Sequence, residues 1–576
     1  MKKIIYLASL LVIFSMLLPA CSTGQNQLHP VKGDFIEGQL LGDAQTLNWM
    51  IATDGGLSRR YAGFVVDPLG VFDNQFKLQL RCLAKDIEVS ADGLTYTVTV
   101  RNDLTWTDGT PVSAEDYVYT IKNLILADWI NSADRSRWQE TVDGKPAPVD
   151  AKTLGGNSFQ IMRKTVDPDF LYTIYELMPY PKHIAVHYEK NTEAFTNAPE
   201  FNNLNYAGNL GPYGPVAWNT QSGFVLKRNP TYYLGKETGA PYFDSYTIKP
   251  YGLQQLANDA MTKGEVSMIS VEPQDANSFR GMSDVNVYTV PTGYYVYMAY
   301  NQRDNGWAGL KDARVRQALS MAISKPIVIQ SMYLGFADPA YSFIPPFSPL
   351  YDESVLNKFG MDPEADQQKA IDLIKAAGYE YKDVGGMMKF VDKDGNPIKL
   401  NFLVDIQSDF EQNLAIVIRQ SLLSIGLDIN PAFSARQIIF QEGLMNKVPD
   451  TGQDPAFNNG PRAVSNKPWD LVILSSHANP LSLLGSGEFF TSKGKFNVFG
   501  FYNDRADELY RRAGSAEAVS FEGRKKIYSE LSKLISDEQP VDFLCFYKDN
   551  YAFRKNVKGV DPGIFFLNTY QFWYFE

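Results

Sequence analysis

Apolar strand-like runs and amphipathic helical runs alternate along most of this chain, and that rhythm constrains its fold more than any other feature. In "LQQLANDAMTKGEVSMISV" the helical spacing ends at Gly264, placed for a C-cap, and a buried-strand run follows. "GYYVYMAYN", ending at Asn301, reads as an aromatic strand. The amphipathic helix of "KDARVRQALSMAISKPIVIQSMYLG" comes next, with Pro326 read as a break. "EADQQKAIDLIKAAGY" is a helix stopped by Gly378, and "FEQNLAIVIRQSLLSIGLDIN" one capped by Gly426 before a strand. "FVDKDGNPIKLNFLV" is a hairpin turning at Asp394-Gly395. "WDLVIL", two further helices and "VDFLCFYKDNYAFRKNVKGV" complete the series, while the Gly/Pro-rich stretch near Gly211 reads as a loop before a strand through Phe224. Such a β–α–β order implies an α/β sheet, and 576 residues exceed one compact core, so two or three packed units are expected.

"WTDGTPVSAEDYVYTIKNLI" shows how much sequence goes into shaping backbone. Asp108-Gly109 supplies a turn, because glycine tolerates the positive φ of a tight bend. Ser113 stands where an N-cap belongs, Glu115 and Asp116 favour the positive end of the helix dipole, and Val118, Ile121, Leu124 and Ile125 follow at helical spacing. None of these residues reads as catalytic.

The N-terminus carries an address. Lys2 and Lys3 form a positive n-region, and Ile4 to Leu18 is an apolar stretch too short for a comfortable span. It ends in Leu18-Pro19-Ala20-Cys21, which resembles the bacterial lipobox, with Pro19 an unusual residue in it. The resemblance implies that residues 1–20 are removed and that Cys21 is lipidated, tethering the folded part through 21–33 to a bacterial membrane on its extracytoplasmic side. No later stretch is long and apolar enough to cross a bilayer.

Composition narrows the partners. The formal net charge is −11 without any Lys/Arg cluster, which excludes a basic nucleic-acid-binding face. Four histidines leave little material for a metal or acid–base site. His183 and His187 stand four apart, but the intervening Ile184, Ala185 and Val186 supply no base of the His-Glu-x-x-His kind. "DKDG" at Asp392 lacks the further ligands of a calcium loop. Ser475-Ser476-His477 juxtaposes hydroxyls and an imidazole, yet adjacent strand residues point to opposite faces and no nucleophile elbow surrounds them. No metal and no cofactor are therefore expected. Cys82 and Cys545 are either a lone pair or two buried thiols.

Taken together and in order, the segments resemble the extracytoplasmic solute-binding proteins of the oligopeptide/dipeptide/nickel class of ABC importers, solute-binding protein family 5. The likeness is carried by Asp92-Gly93, Thr95-Tyr96, Arg101, Trp106, Asp108-Gly109, Pro111, Ala114 and Asp116. Gly211-Pro212-Tyr213, Arg228-Asn229-Pro230, Asp312 to Leu319, Ile344-Pro345-Pro346, Ala377-Gly378-Tyr379 and Phe501-Tyr502-Asn503 with Asp507 extend it. The resemblance implies a two-lobe periplasmic-binding-protein-like α/β fold of type II with an extra subdomain in the N-terminal lobe. Lobe I would take 34–295 and 546–576, with the subdomain inserted at about 65–205, and lobe II 296–545. It also implies a peptide held between the lobes, delivery to a membrane permease, a monomer, and no catalysis.

Candidate ligand contacts are Gly42, Asp43, Trp49, Tyr213, Trp218, Asn301, Trp307, Arg436, Ser476, His477, Asn479 and Tyr502. The aromatic ones sit in turn-like contexts, where a core role is equally open to them. Peptide-binding members carry an acid in a D-x-x-x-P segment that pairs with the peptide α-ammonium. In "SSHANPLSLL", counting back from Pro480 places Ser476 there. Either another acid, such as Glu37, Asp43 or Glu442, replaces it, or the ligand has no ammonium at that point. Oligosaccharide and nickel-chelate cargo stay open beside peptide. A cell-surface hydrolase would need an acid–base constellation that the sequence does not offer, and a sensor or adhesin would lack neighbouring permease and ATPase genes.

Overall fold

The computed structural model describes residues 33–576 apart from 41, 55, 80, 203–206, 209, 220–222 and 448–463. Cys21 and the leader lie outside the described residues. Ten strands run side by side: β1 (Asp34–Gln39), β2 (Tyr213–Asn219), β3 (Gly223–Arg228), β4 (Ser245–Pro250), β5 (Met268–Val271), β6 (Val285–Tyr300), β7 (Lys399–Asp405), β8 (Asp428–Ser434), β9 (Leu471–His477) and β10 (Val541–Arg554). Their order is β8-β7-β9-β6-β10-β5-β1-β4-β3-β2, with a short eleventh strand, Ala337–Pro339, paired to β10.

β6 and β10 belong to both halves of this sheet. Residues Val285 to Pro291 of β6 pair with Arg554 to Lys548 of β10, and β10 there also pairs with β5. Beyond Tyr295 the same two strands pair again, and β6 now pairs with β9 on its other side. Between Pro291 and Tyr295 the register shifts, because β6 advances farther than β10. A bulge bends its strand and increases the twist, so the crossing from one half to the other is made at a bend.

Alternation along β6 sorts the second half into two cores. Tyr295, Tyr297 and Ala299 face one cluster, packed by the helices Asp504–Ala513 and Phe521–Glu538 through residues such as Leu509, Ile527 and Leu531. Val296, Met298 and Tyr300 face another, covered by Ala313–Ala322, Pro363–Ala376 and Asp409–Ser424 through Leu319, Ile374 and Ile418. This is the period of two expected of a strand buried on both faces. Each fully buried Leu or Ile contributes roughly 1.5–3 kcal/mol. The first half closes on a large cluster that includes Phe35, Trp106, Trp138, Tyr246 and, from the end of the chain, Tyr570 and Trp573, and on a smaller one in which Met261 and Phe279 pack on Ile269 and Ala552.

Between β1 and β2 stands a four-stranded antiparallel sheet in the order Ala84–Val89, Thr95–Val100, Ser158–Met162, Asp150–Gly155. The turn and helix beside it form as the sequence implied: Gly109 has φ 87° and the helix spans Ala114–Tyr119. The buried Asp116 carboxylate accepts from the Ser113 N–H at 2.9 Å, the Lys182 N–H at 2.8 Å and the Trp106 indole at 3.3 Å. It is a structural hub. This region also touches the second half, where Asp169 accepts from the Ser482 hydroxyl at 3.0 Å and the Leu484 N–H at 3.1 Å.

One reading of the sequence holds here and one is corrected. The helical run is interrupted just before Pro326, as the sequence implied. Ala313–Ala322 ends at the extended Ile323, and Pro326 sits in the first turn of Lys325–Tyr333, where its missing N–H costs nothing. Tyr213–Asn219 is not loop but the edge strand β2, and the sheet edge together with the register shift between Pro215 and Ala217 accommodates the proline. Cys82 and Cys545 are both buried free thiols.

Candidate functional site

A cavity of about 1020 Å³ opens between the two halves of the sheet. One wall comes from the carboxyl ends of β1 and β5, with Glu37, Gly38, Gln39 and Ser270. The other comes from the carboxyl end of β9 and the segments after β7 and β8, with Ser475, Phe410, Glu411 and Arg436. The middle of β10, Tyr547 to Tyr551, crosses from wall to wall. Open α/β sheets place ligands at the carboxyl ends of their strands. The sequence supplies the polar floor directly, since Lys548-Asp549-Asn550 places three polar residues together in the middle of the strand.

Most charges in this cavity are committed to each other. Arg60, from the Leu57–Ala62 helix, holds both oxygens of Glu37 at 2.7 Å and the Gln39 amide oxygen at 2.6 Å, and the Tyr246 hydroxyl adds a bond to Glu37 at 2.7 Å. Burial opposes the guanidinium charge, but Glu37 outweighs it and raises the Arg60 pKa. Across the cavity Arg436 pairs with Asp405 at 3.0 Å and with Glu411. Lys548 reaches Asp338 at 2.6 Å. Asp549 is different: it faces the cleft without an ion pair among the described residues, and partial loss of water there together with the charge of Glu272 raises its pKa.

The rings of Tyr333, Phe410 and Tyr547 form a further part of the wall, and Tyr294 and His477 stand outside the lining. Tyr333 and Tyr547 lie parallel at 6.0 Å, Tyr547 and Tyr294 at 5.6 Å, and Phe410 meets Tyr333 edge-on at 5.6 Å. His477 packs on Tyr294 at 4.5 Å, and burial lowers its pKa, which favours the neutral imidazole. Burial pushes the Cys545 thiol up to about 12. It is not a reactive thiolate.

Of the residues singled out in the sequence, Arg436 lines the cavity. Gly42 and Asp43 lie beside it: the Gly42 carbonyl accepts from the Gln39 amide at 2.5 Å, and Asp43 accepts from the Trp218 indole at 2.8 Å. Trp218 packs on Tyr61 and Phe224. Trp49 is buried under Arg59 and beside Tyr180, and Tyr213 is buried among Phe64, Tyr246 and Tyr570. Asn301 is fully buried, donating to the Trp469 carbonyl at 2.8 Å, and Trp307 packs on Tyr379. Asn479 organises its own turn by accepting from the Leu481 N–H at 3.0 Å, and Tyr502 is exposed away from the cavity lining. For these aromatic and amide groups, packing and turn formation use the side chain.

Ser476 is the instructive case. It pairs with Tyr295 across β9 and β6, on the face of the strand where the Tyr295 ring is buried. The cavity-facing residue is its neighbour Ser475. A shift of one residue along a strand exchanges faces. The acids named as replacements are also spoken for: Glu37 by Arg60, Asp43 by Trp218, and Glu442 by Lys467 at 2.9 Å.

Comparison with known proteins bears on this geometry. Residues 81–496 match the family model described as bacterial extracellular solute-binding proteins, family 5 Middle. The chain is 23% identical to the oligopeptide-binding protein AppA of Bacillus subtilis, over 97% of this chain and 96% of that protein. Among solved structures, the ABC transporter substrate-binding protein CtaP from Listeria monocytogenes superposes with a TM-score of 0.73 at 23% identity, covering 94% and 99% of the two chains. AppA from B. subtilis in complex with a nonapeptide does so with a TM-score of 0.63 at 21% identity, covering 95% and 99%.

Proposed function

Because the chain belongs to the bacterial extracellular solute-binding proteins of family 5, we propose that it is the substrate-binding lipoprotein of an ABC import system. It captures a peptide between two lobes and hands it to a membrane permease. The observation that carries this reading is the cavity itself. Its walls come from opposite halves of one sheet, and its floor is the strand pair that joins them at a bulge. A ligand touching both walls gains contacts only when they approach, so it favours the closed arrangement by the difference in its affinity for the two states. A permease can then distinguish loaded from empty protein.

Peptide is the leading cargo because relatives spanning nearly the whole chain are named for oligopeptides, and one of the similar folds holds a nonapeptide. At about 1020 Å³ the cavity stands at the upper end of the range of about 300–1,000 Å³ typical of small-molecule pockets. Oligosaccharide is the second reading, favoured by the aromatic side chains of Tyr333, Phe410 and Tyr547 in the cavity lining. In either case the chain acts as a monomeric binder on the extracytoplasmic side, anchored through Cys21, and carries out no chemistry on its cargo. Among the described residues no helix is long and apolar enough to cross a membrane.

Native mass spectrometry of gently purified protein, followed by small-angle scattering with and without the ligand it reveals, tests the reading. One peptide per chain and a smaller radius of gyration on binding are expected. A bound sugar would replace the peptide assignment. Hydrolysis of peptides or glycosides that tracks the protein through purification would overturn the whole reading.

A further inference from the structure

Asp169 stands at the N-cap of the Phe170–Tyr175 helix, yet its side chain makes no capping hydrogen bond there. An aspartate in that position ordinarily accepts from the first N–H groups of its own helix. Here the carboxylate turns to the other half of the molecule, where the Ser482 hydroxyl donates to it at 3.0 Å and the Leu484 N–H at 3.1 Å. Arg524, in the first turn of Phe521–Glu538, reaches back from that half. Its guanidinium lies 3.6 Å from Asp169, donates to the Pro168 carbonyl at 2.6 Å and to the Tyr172 hydroxyl at 3.1 Å, and is steadied by the Ala518 carbonyl at 3.0 Å. The Asp169 side chain is 11% exposed and that of Arg524 9%, so the two charges face each other largely out of water.

The same two surfaces also meet sterically. Gly93, in the turn between Ala84–Val89 and Thr95–Val100, has φ 71°, and a Cβ there would stand 2.9 Å from the Val519 side chain. Asp169 and Gly93 belong to the part that packs into the first half's core through Tyr96 and Phe170. Ser482, Val519 and Arg524 belong to the part built around Ile527 and Leu531. None of these residues lies on β6 or β10, so the halves are joined a second time, away from the crossing strands.

A rotation about the bulge of β6 that brings the cavity walls together displaces every group off its axis. Hydrogen bonds weaken steeply outside a narrow range of distance and angle. The contact is fully formed while the walls stand apart over a cavity of about 1020 Å³, so closing must break or rebuild it.

We propose that Asp169, Arg524 and Ser482 form an autoinhibitory clasp, which holds the ligand-free protein open and sets a threshold that a ligand must exceed to close it. The proposal rests on the hinge-closure reading above and does not depend on which cargo is bound. A ligand that closes the protein gives up the clasp, and its apparent affinity falls by the fraction of molecules ready to close.

Nitroxide labels on Gln255→Cys and Gln407→Cys read the distance across the mouth of the cavity. Both positions are exposed, and their neighbours Gln254 and Ser408 line its two walls. Electron–electron double resonance is recorded on the labelled wild type, Asp169→Ala, Ser482→Ala and Tyr172→Phe, each washed free of co-purified ligand and checked for a cooperative melt, and again with a mixture of random nonapeptides. Long distances should dominate in the wild type. Asp169→Ala should raise the ratio of short to long distances at least about fivefold, the lower end of ordinary coupling between sites. It should lower the peptide concentration that half-closes the protein by the same factor. The two hydroxyl deletions should move both readings less and in the same direction. Variants that keep the wild-type distances and half-closing concentration, or that move to longer distances, overturn the clasp alone. Variants that shift as expected in a protein that no peptide closes leave the clasp standing and remove the peptide reading. If neither the substitutions nor the peptides move the labels, the clasp and the hinge-closure reading fall together.

Discussion

A Cβ on Gly293 would stand 2.2 Å from the carbonyl oxygen of Ala478, and the Ala478 N–H donates to the Gly293 carbonyl at 2.8 Å. The two backbones are pressed together at the bulge where β6 passes from one half of the sheet to the other, just beyond the end of β9. The contact is backbone against backbone, so no side-chain rotation can relieve an added methyl group. Gly293→Ala should therefore cost about 1–3 kcal/mol, the usual range for overpacking. Urea denaturation measures it, and an unchanged midpoint would show that the crossing is softer than its geometry implies.

The phase of β9 gives a paired test. Ser475→Trp should fill cavity space and weaken binding of a co-purified ligand at least about tenfold, while stability stays close to wild type. Ser476→Ala should leave affinity unchanged within about threefold, because its register places it opposite the buried Tyr295 and not among the cavity-lining residues. Calorimetric titration and denaturation of both variants check this. The opposite pattern would mean that Ser476 faces the ligand.

Lys325 and Asp542 form an ion pair at 2.8 Å, with both side chains almost wholly buried, and the Lys325 ammonium also donates to the Ala340 and Phe543 carbonyls. Lys325→Met leaves a buried carboxylate without compensation and should cost about 3–5 kcal/mol. Adding Asp542→Leu should recover much of that loss, since an apolar pair carries no desolvation penalty. A double variant as unstable as the single one would place the whole cost on the two orphaned carbonyls.

Stability should depend on pH through Asp549. Its folded pKa is raised by partial loss of water at the cleft and by Glu272. The protonated form therefore costs nothing below the unfolded value of about 3.9, and the ionised form destabilises increasingly as pH rises through the folded value. The other charges nearby are the Lys548–Asp338 and Glu37–Arg60 pairs and Arg280, which donates to Thr289. Asp549→Asn should thus melt above the wild type at pH 7, with the gap closing as the pH falls toward 4. Superimposable melting temperatures across that range would show that the charge is already compensated.

Cys21→Ala should release the protein from membranes or block its maturation. Fractionation of cells expressing the variant, with immunoblotting for leader cleavage, reads both outcomes. Membrane association that persists after normal cleavage would remove Cys21 as the anchor.

The sequence by itself determined the local geometry. Helical spacing and Gly264 fixed the Gln254–Lys263 helix and its end, and Asp108-Gly109 with Ser113 fixed a turn and a helix start. The unbroken apolar run of "GYYVYMAY" fixed a buried strand. These features depend on φ/ψ preferences and on side-chain periodicity, which neighbouring residues carry among themselves. The tertiary structure decided the site. Whether Trp49, Tyr213 and Trp307 would bind or pack depended on which core reached them first, and an aromatic ring suits either role. Glu272 and Asp549 are remote in sequence and meet only through the register of β5 on β10. Glu37 and Arg60 meet because a short helix docks over β1. Which charge is left without a partner is set by long-range pairing, and no local pattern encodes a missing neighbour.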